Sequence, residues 1–399
     1  MTFTTLTIIT AAALVGPLLA APRRTAVPMV IGELAAGVLL GNTGLRTLHP
    51  HDPTFAFLAD IGFGLIMFVA GSHVPIRNPR VRSCVRTGGL RALSVAGIAI
   101  GLAVAIAHAF GTGGAPLFAV LLASSSAALA LPLLESVGVD PGSALDTVAQ
   151  IAIADTACIV ALPLAIEPSR AGRAAVGAVA VAGGALLFWM VFEYAEHSGQ
   201  RRRLHHFSER RHFALELRIS LLALFGLAAI ATNLHVSIML AGFGLGLAVA
   251  AVGAPRRLAR QVFGLTEGFL GPIFFVWIGA SLDLRALGNH PKFIVMGVVL
   301  GLAAVGAHAA MAPSGQGLKM SVLASAQLGV PIAAVTLGSQ RHLLPPGEAA
   351  AILLGAVVTV AAASIAAARS RPVPVAPDLS DRAAPIGAPA SDKSGAAGR

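Results

Sequence analysis

Apolar residues run along the chain in blocks of about twenty, separated by short polar or basic segments, and none of the blocks alternates with a period of two. A helix of roughly 20 apolar residues crosses a hydrocarbon core of about 30 Å and satisfies its own backbone hydrogen bonds. A membrane-barrel strand would instead alternate over about ten residues. The pattern predicts thirteen helical spans, near 2–21, 27–45, 54–72, 88–110, 115–134, 143–166, 172–195, 213–232, 235–252, 265–284, 292–311, 317–338 and 347–369. The expected fold is an all-α polytopic membrane protein.

The charges between the spans give an orientation. Loops after odd-numbered spans carry most of the loop cations, among them Arg23, Arg24, Arg80, Arg82, Arg201, Arg202, Arg203, Arg256 and Arg257. Loops after even-numbered spans carry few, such as Arg46 and Arg170. The positive-inside rule then puts the N-terminus outside and the C-terminus in the cytoplasm of a plasma (inner) membrane. No charge precedes the first span and Arg23–Arg24 follow it, the reverse of a signal peptide, so it is expected to stay as an N-out helix. Residues 370–399 are rich in Pro, Ala, Ser and Asp and read as a disordered cytoplasmic tail, leaving 1–369 as the transmembrane domain.

Composition narrows the function classes. The chain is 56% hydrophobic and 12% charged, against about 25% charged in soluble domains, which excludes a soluble enzyme. The net charge of +10 sits in loops and reads as topology, so no nucleic-acid partner is expected. Cys84 and Cys158 imply no disulfide framework. No HExxH or GxSxG pattern supports hydrolysis, and no cofactor is expected. Gly242, Gly244 and Gly246 lie inside a span and read as packing glycines.

The candidate chemistry lies in polar residues within the hydrocarbon, where a carboxylate costs roughly 2.5–3.5 kcal/mol on insertion scales. Asp155 stands twelve residues into its span, about 18 Å deep at 1.5 Å per residue. No opposite charge lies within a turn of it. It is either a cation and proton site or a carboxylate satisfied by a partner on another helix. Ser124, Ser125 and Ser126 form the centre of the preceding span, able to coordinate a small cation or to allow close packing. Ser325, Gln327, Gly329 and Pro331 give the span 317–338 a similar polar centre, so both helices are expected to be interrupted at mid-depth. Two interrupted helices at corresponding places point to a transporter built from inverted repeats. Glu33 and Asp60 could line a pathway or serve an interface. His308 could shuttle protons or simply pack. His205, His206 and His212 sit in a basic loop, with metal binding a remote option.

These residues occur in an order that resembles the monovalent cation:proton antiporter superfamily, in particular its Kef-type branch. Residues 27–41 (VPMVIGELAAGVLLG) resemble the family's second helix, and residues 58–62 (LADIG) with 67–71 (MFVAG) its third. Residues 124–127 (SSSA), followed by Glu135, are similar to its S-S-T-A helix, and residues 272–283 (PIFFVWIGASLD) to its tenth. The resemblance implies a six-helix core (spans 4–6 and 11–13) beside a scaffold that forms a homodimer. It also implies an ion site on the sixth helix, at an aspartate preceded by Asp, Asn or Gln; here the pair is Ala154-Asp155. Gly306 falls where the eleventh helix usually carries Lys or Arg, with His308 two residues on. The segment Ala326-Gln327-Leu328-Gly329 replaces an acidic motif of the twelfth.

The expected function is exchange of Na⁺ or K⁺ for H⁺ by alternating access, with Asp155, Ser125 and Ser126 binding the cation. Ser124, Gln327, His308, Glu33 and Asp60 are possible accessories. One carboxylate without an intramembrane lysine leads to an expectation of one proton per cation and no net charge moved. A cation-coupled symporter of an organic anion and a non-transporting membrane component remain open alternatives.

Overall fold

The structure is a computed structural model of the 399-residue chain and describes residues 1–21, 29–72, 79–127, 129–130, 134, 145–166, 171–197, 215–234, 236–253, 256–282, 285, 288, 291–341, 343–345 and 347–368. The tail expected over 370–399, Glu135, and His205, His206 and His212 lie outside these residues.

Each of the thirteen expected spans holds helix among the described residues. Ten stretches are long and apolar enough to cross a membrane, and Met29–Leu40 and Ile238–Val252 are shorter apolar helices. The fifth span is the remaining one, represented by a half-helix. In order, the elements are α1 (Phe3–Ala13), α2 (Val15–Ala20), α3 (Met29–Leu40), α4 (Pro53–Ser72), α5 (Pro79–Phe110), α6 (Ala115–Ala123), α7 (Leu145–Ile166), α8 (Ala171–His197), α9 (Leu215–Asn233), α10 (Ile238–Val252) and α11 (Arg256–Leu265). A π-helical turn, Thr266–Leu270, leads into α12 (Gly271–Ser281). Then come α13 (Pro291–Ala309), a 3₁₀ turn (Ala312–Ser314), α14 (Leu318–Ala324), α15 (Gly329–Gln340) and α16 (Glu348–Ala368).

The fifth and twelfth spans are both broken at mid-span. Helix α6 stops at Ala123, Ser124 turns to an extended conformation (φ −72°, ψ 152°), and helix resumes at Ala127. Consecutive serines compete for backbone partners and weaken a helix at this point. Helix α14 stops at Ala324 and α15 begins at Gly329. Pro331 then lies in the first turn of α15, where its missing N–H has no intrahelical partner to lose. The π-helical turn was not foreshadowed by any residue pattern, although Pro272 follows directly behind it.

The helices pack as two groups. One comprises α1–α4 and α9–α12, the other α5–α7 and α13–α16, with α8 bridging between α10 and α7. Within the first group, glycines bring backbones together as in other membrane helix pairs. A Cβ on Gly71 or Gly246 would strike the backbone of the facing helix at Phe243 or Phe68, welding α4 to α10. Gly37 and Gly279 do the same between α3 and α12, against Val276 and Leu34. Gly246→Val is therefore expected to destabilise the protein by about 1–3 kcal/mol, the usual cost of overpacking. Gly101→Ala, whose Cβ meets open space, is expected to leave stability unchanged or slightly raised. Thermal melting of the two variants in one detergent tests the contrast.

The second group is tied at one end by polar contacts. Arg91 is buried in α5; its Nε donates to Ser314 Oγ (3.0 Å) and its Nη2 to the Ser314 carbonyl (3.0 Å), with Asp146 Oδ2 at 3.8 Å. Gln316 Nε2 donates to Gln150 Oε1 (2.8 Å) and Thr147 Oγ1 (3.2 Å) of α7, and Ser321 donates to Gln316 Oε1 (3.1 Å). The segment that starts the twelfth span is thus held to the helix that carries Asp155.

Candidate functional site

The two breaks meet in the middle of the second group. The Ser126 amide donates to the Ala326 carbonyl at 2.8 Å, joining break to break as two strands would. Ser124 Oγ lies 3.2 Å from Gln327 Oε1 and 2.9 Å from the Leu121 carbonyl. Ser125 Oγ donates to the Ala324 carbonyl at 2.7 Å and lies 3.3 Å from His308 Nε2. The Gln327 backbone N–H donates to Thr359 Oγ1 of α16 at 3.3 Å. Asp155 approaches from α7 and accepts from the Ala127 amide at 3.1 Å, where the fifth span resumes. Six residues marked in the sequence, Ser124, Ser125, Ser126, Asp155, His308 and Gln327, therefore converge here, and all are buried.

Counting hydrogens around the breaks shows more acceptors than donors. His308 Nδ1 lies 3.0 Å from the Ala304 carbonyl, so this nitrogen carries a hydrogen, and in the neutral ring Nε2 is an acceptor. The single Ser125 hydroxyl proton then stands between Nε2 and the Ala324 carbonyl. The Ser124 proton stands between the Leu121 carbonyl and Gln327 Oε1. Gln327 Nε2 is buried without a partner in the orientation shown. Turning that amide over, a change invisible to atom size, would let Nε2 donate to Ser124 and leave Oε1 as a free acceptor. In either orientation the serine oxygens keep unfilled lone pairs. An excess of oxygen acceptors in a buried site suits a bound cation.

Asp155 opens on a cavity of about 40 Å³. Ser126, Ile159, Leu328, Gly329 and Ile332 line one side of it and Phe63, Ile66, Met67, Ala70, Phe274 and Phe275 the other, so each helix group supplies a wall. Phe63 and Phe274 stack at 4.8 Å between ring centroids. The carboxylate has one hydrogen-bond donor, the Ala127 amide, and no ion pair among the described residues. That arrangement departs from a carboxylate paired with a basic side chain.

The other marked residues lie elsewhere. Glu33 is buried, with its side chain against Gly16 of α2. Asp60 lines a separate groove between α4 and α9. Ala154 is buried beside Asp155. A side chain on Gly306 would meet nothing within 4 Å, so that position points away from the breaks. His308 is the residue of α13 that reaches them. The aromatic walls, Thr359 and the Arg91 network were not marked in advance. Arg91, a cation inside a predicted span, carried a usable signal; Phe63 and Phe274 look like any other apolar residue.

The described transmembrane region also has known relatives. The family described as "Sodium/hydrogen exchanger, transmembrane" matches residues 10–368. NhaS5 of Synechocystis, named a Na(+)/H(+) antiporter, is 29% identical over 336 residues, covering 79% of this chain and 47% of that protein. GerN of Bacillus cereus, named a Na(+)/H(+)-K(+) antiporter, is 23% identical over 272 residues, covering 67% of this chain and 69% of that one. KefC of Klebsiella pneumoniae, named a glutathione-regulated potassium-efflux system protein, is 26% identical over 302 residues, or 72% of this chain. The chain spans 46% of the length of KefC, and so about half that of KefC and NhaS5. The solved structure of the sodium proton antiporter MjNhaP1 from Methanocaldococcus jannaschii superposes with a TM-score of 0.61 at 17% identity, covering 92% of this chain and 96% of that one. That likeness is one of fold. A family match over nearly the whole described region, on a fold with both breaks in place, places this chain in the transmembrane sodium/hydrogen exchanger family of secondary transporters.

Proposed function

We propose that the chain exchanges a monovalent cation, Na⁺ or K⁺, for H⁺ by alternating access, with Asp155 as the group for which the two compete. The observation that carries this reading is the buried Asp155 carboxylate, with a single amide donor among the described residues and an apolar cavity before it. A carboxylate so placed requires neutralisation, and a proton or a cation each supplies it. Two ligands for one charge exclude each other, and that exclusion is the coupling. The names of NhaS5, GerN and KefC fit the same chemistry.

In this mechanism Ser125, Ser126 and carbonyls freed by the breaks complete the cation's oxygen shell, since hard cations take oxygen ligands. Ser124, Gln327 and His308 stand behind them and hold the serines in place. The α5–α7 and α13–α16 group carries the site past the other group, whose aromatic wall closes the cavity. Asp155 alone gives one proton per cation and no net charge. The same reading takes 1–369 as the transporting domain, with 370–399 as a cytoplasmic tail. It sets the N-terminus outside a plasma (inner) membrane and forms a homodimer within the bilayer through the scaffold. Glu33 and Asp60 have no part in it.

The test is proton flux in proteoliposomes loaded with a pH-sensitive dye and pulsed with Na⁺, K⁺ or Li⁺. A pH change driven by Na⁺ or K⁺, and insensitive to a clamped membrane potential, is expected. Silence with all three ions from folded, inserted protein rejects the proposal.

A further inference from the structure

Gln316 stands in the connection from the 3₁₀ turn to α14, between Gly315 and Gly317. Both glycines are left-handed, with φ of 84° and 75°, so the connection bends without strain around one large polar side chain. A glutamine in a loop ordinarily faces water. Gln316 is instead buried, as are Thr147, Gln150 and Ser321 around it. Its amide meets two side chains of α7, Gln150 at 2.8 Å and Thr147 at 3.2 Å, and one of α14, Ser321 at 3.1 Å. Turning both glutamine amides over exchanges donors for acceptors, keeps every link, and gives Gln150 Nε2 the partner it otherwise lacks. Arg91 of α5 holds Ser314 just before, so the connection has an anchor of its own.

These contacts close a ring that passes through the candidate site. From Gln150, α7 runs five residues, about 7.5 Å, to Asp155. Asp155 accepts from the Ala127 amide, and the neighbouring Ser126 amide donates to the Ala326 carbonyl. From Ala326 the chain leads back through α14 to Ser321 and Gln316. Two sides of the ring are helix and two are hydrogen bonds. Asp155 moves with α7, whereas Ser125 is bonded to the Ala324 carbonyl and moves with the end of α14. The Gln316 amide therefore ties together the two elements whose spacing sets the distance from carboxylate to serine.

We propose that Gln316 is a positioning residue for the exchange site, holding Asp155 and the serines of the fifth span at the spacing a cation needs. The inference rests on the reading of Asp155, Ser125 and Ser126 as cation ligands. Ligands drawn from separate pieces of chain depend on the groups behind them, and loss of such a group typically weakens metal binding about 10–100-fold.

The test is cation-driven proton flux in proteoliposomes at one fixed pH, over a range of Na⁺ and K⁺ concentrations, with thermal melting of the same proteins. Gln316→Leu is expected to raise the cation concentration for half-maximal exchange about tenfold or more, with the maximal rate little changed. It is also expected to melt lower, because Gln150 and Thr147 lose a buried partner. The double variant Gln150→Leu/Gln316→Leu leaves neither amide unpaired and is expected to recover the melting temperature without recovering cation affinity. Wild-type half-saturation in either folded variant would make the contact one of stability alone and overturn the inference. A lower maximal rate at unchanged half-saturation would do the same. Should Gln316→Leu fail to fold, the double variant decides. Silence of the wild-type protein with both cations would instead remove the exchange reading, and this inference with it.

Discussion

Asp155→Asn is expected to reduce cation-driven proton flux to below about a hundredth of wild type while leaving the protein folded. Asparagine has the same shape and keeps an oxygen that can accept from the Ala127 amide, but it neither takes up a proton near neutral pH nor supplies a negative charge. Stability is expected to stay level or rise, because a neutral amide in an apolar cavity needs no counter-charge. The alternative, a carboxylate held by a basic partner, predicts the opposite. Removing one member of a buried ion pair costs about 3–5 kcal/mol, which would appear as a large fall in melting temperature. Flux and melting measured on the same preparation separate the two. Full flux in a folded Asp155→Asn protein would move the exchange site to another group.

The second large effect is in the pH dependence. Where Asp155 is mostly protonated, each cation bound must displace one proton. The cation concentration for half-maximal exchange should therefore rise about tenfold for each unit fall in pH. At higher pH, where the carboxylate is already ionised, that concentration should level off. Initial rates over a range of cation concentrations, repeated at each of several pH values with equal pH on both sides, give the slope. A slope of one supports a single shared carboxylate, a slope of two demands a second proton, and a flat profile removes the competition altogether.

The spans and both breaks were legible because they depend on local features of the chain. A block of twenty apolar residues has few options in a bilayer, and three serines or a Ser-Gln-Gly-Pro set in its middle mark where helix is weak. Asp155 was conspicuous for the same reason, as a charge in oil. The pairings across the breaks were not legible. Ser125 and His308 are 183 residues apart, and no periodicity relates them. The face of α13 mattered as much as its letters: Gly306 matches the position of a basic residue in the resembling family, yet it points into open space, and the reach to Ser125 belongs to His308. The wall of Phe63, Met67, Phe274 and Phe275 was hidden among ordinary apolar residues, because only the packing of the two helix groups turns them toward Asp155. The π-helical turn left no sign in the letters at all.

The size of the Asp155 cavity has a consequence for how an ion reaches it. About 40 Å³ is room for a few water molecules, since one needs about 10–15 Å³ of such space. In the proposed exchange a cation seated there keeps only part of its hydration, and the remainder of its shell is stripped on the way in. Dehydration, rather than diffusion through the bulk, is then the expected slow part of capture. Na⁺ holds its water more tightly than K⁺ and surrenders more when it sheds it, so the two ions differ first in the barrier to entry and only then in the fit to the serine oxygens.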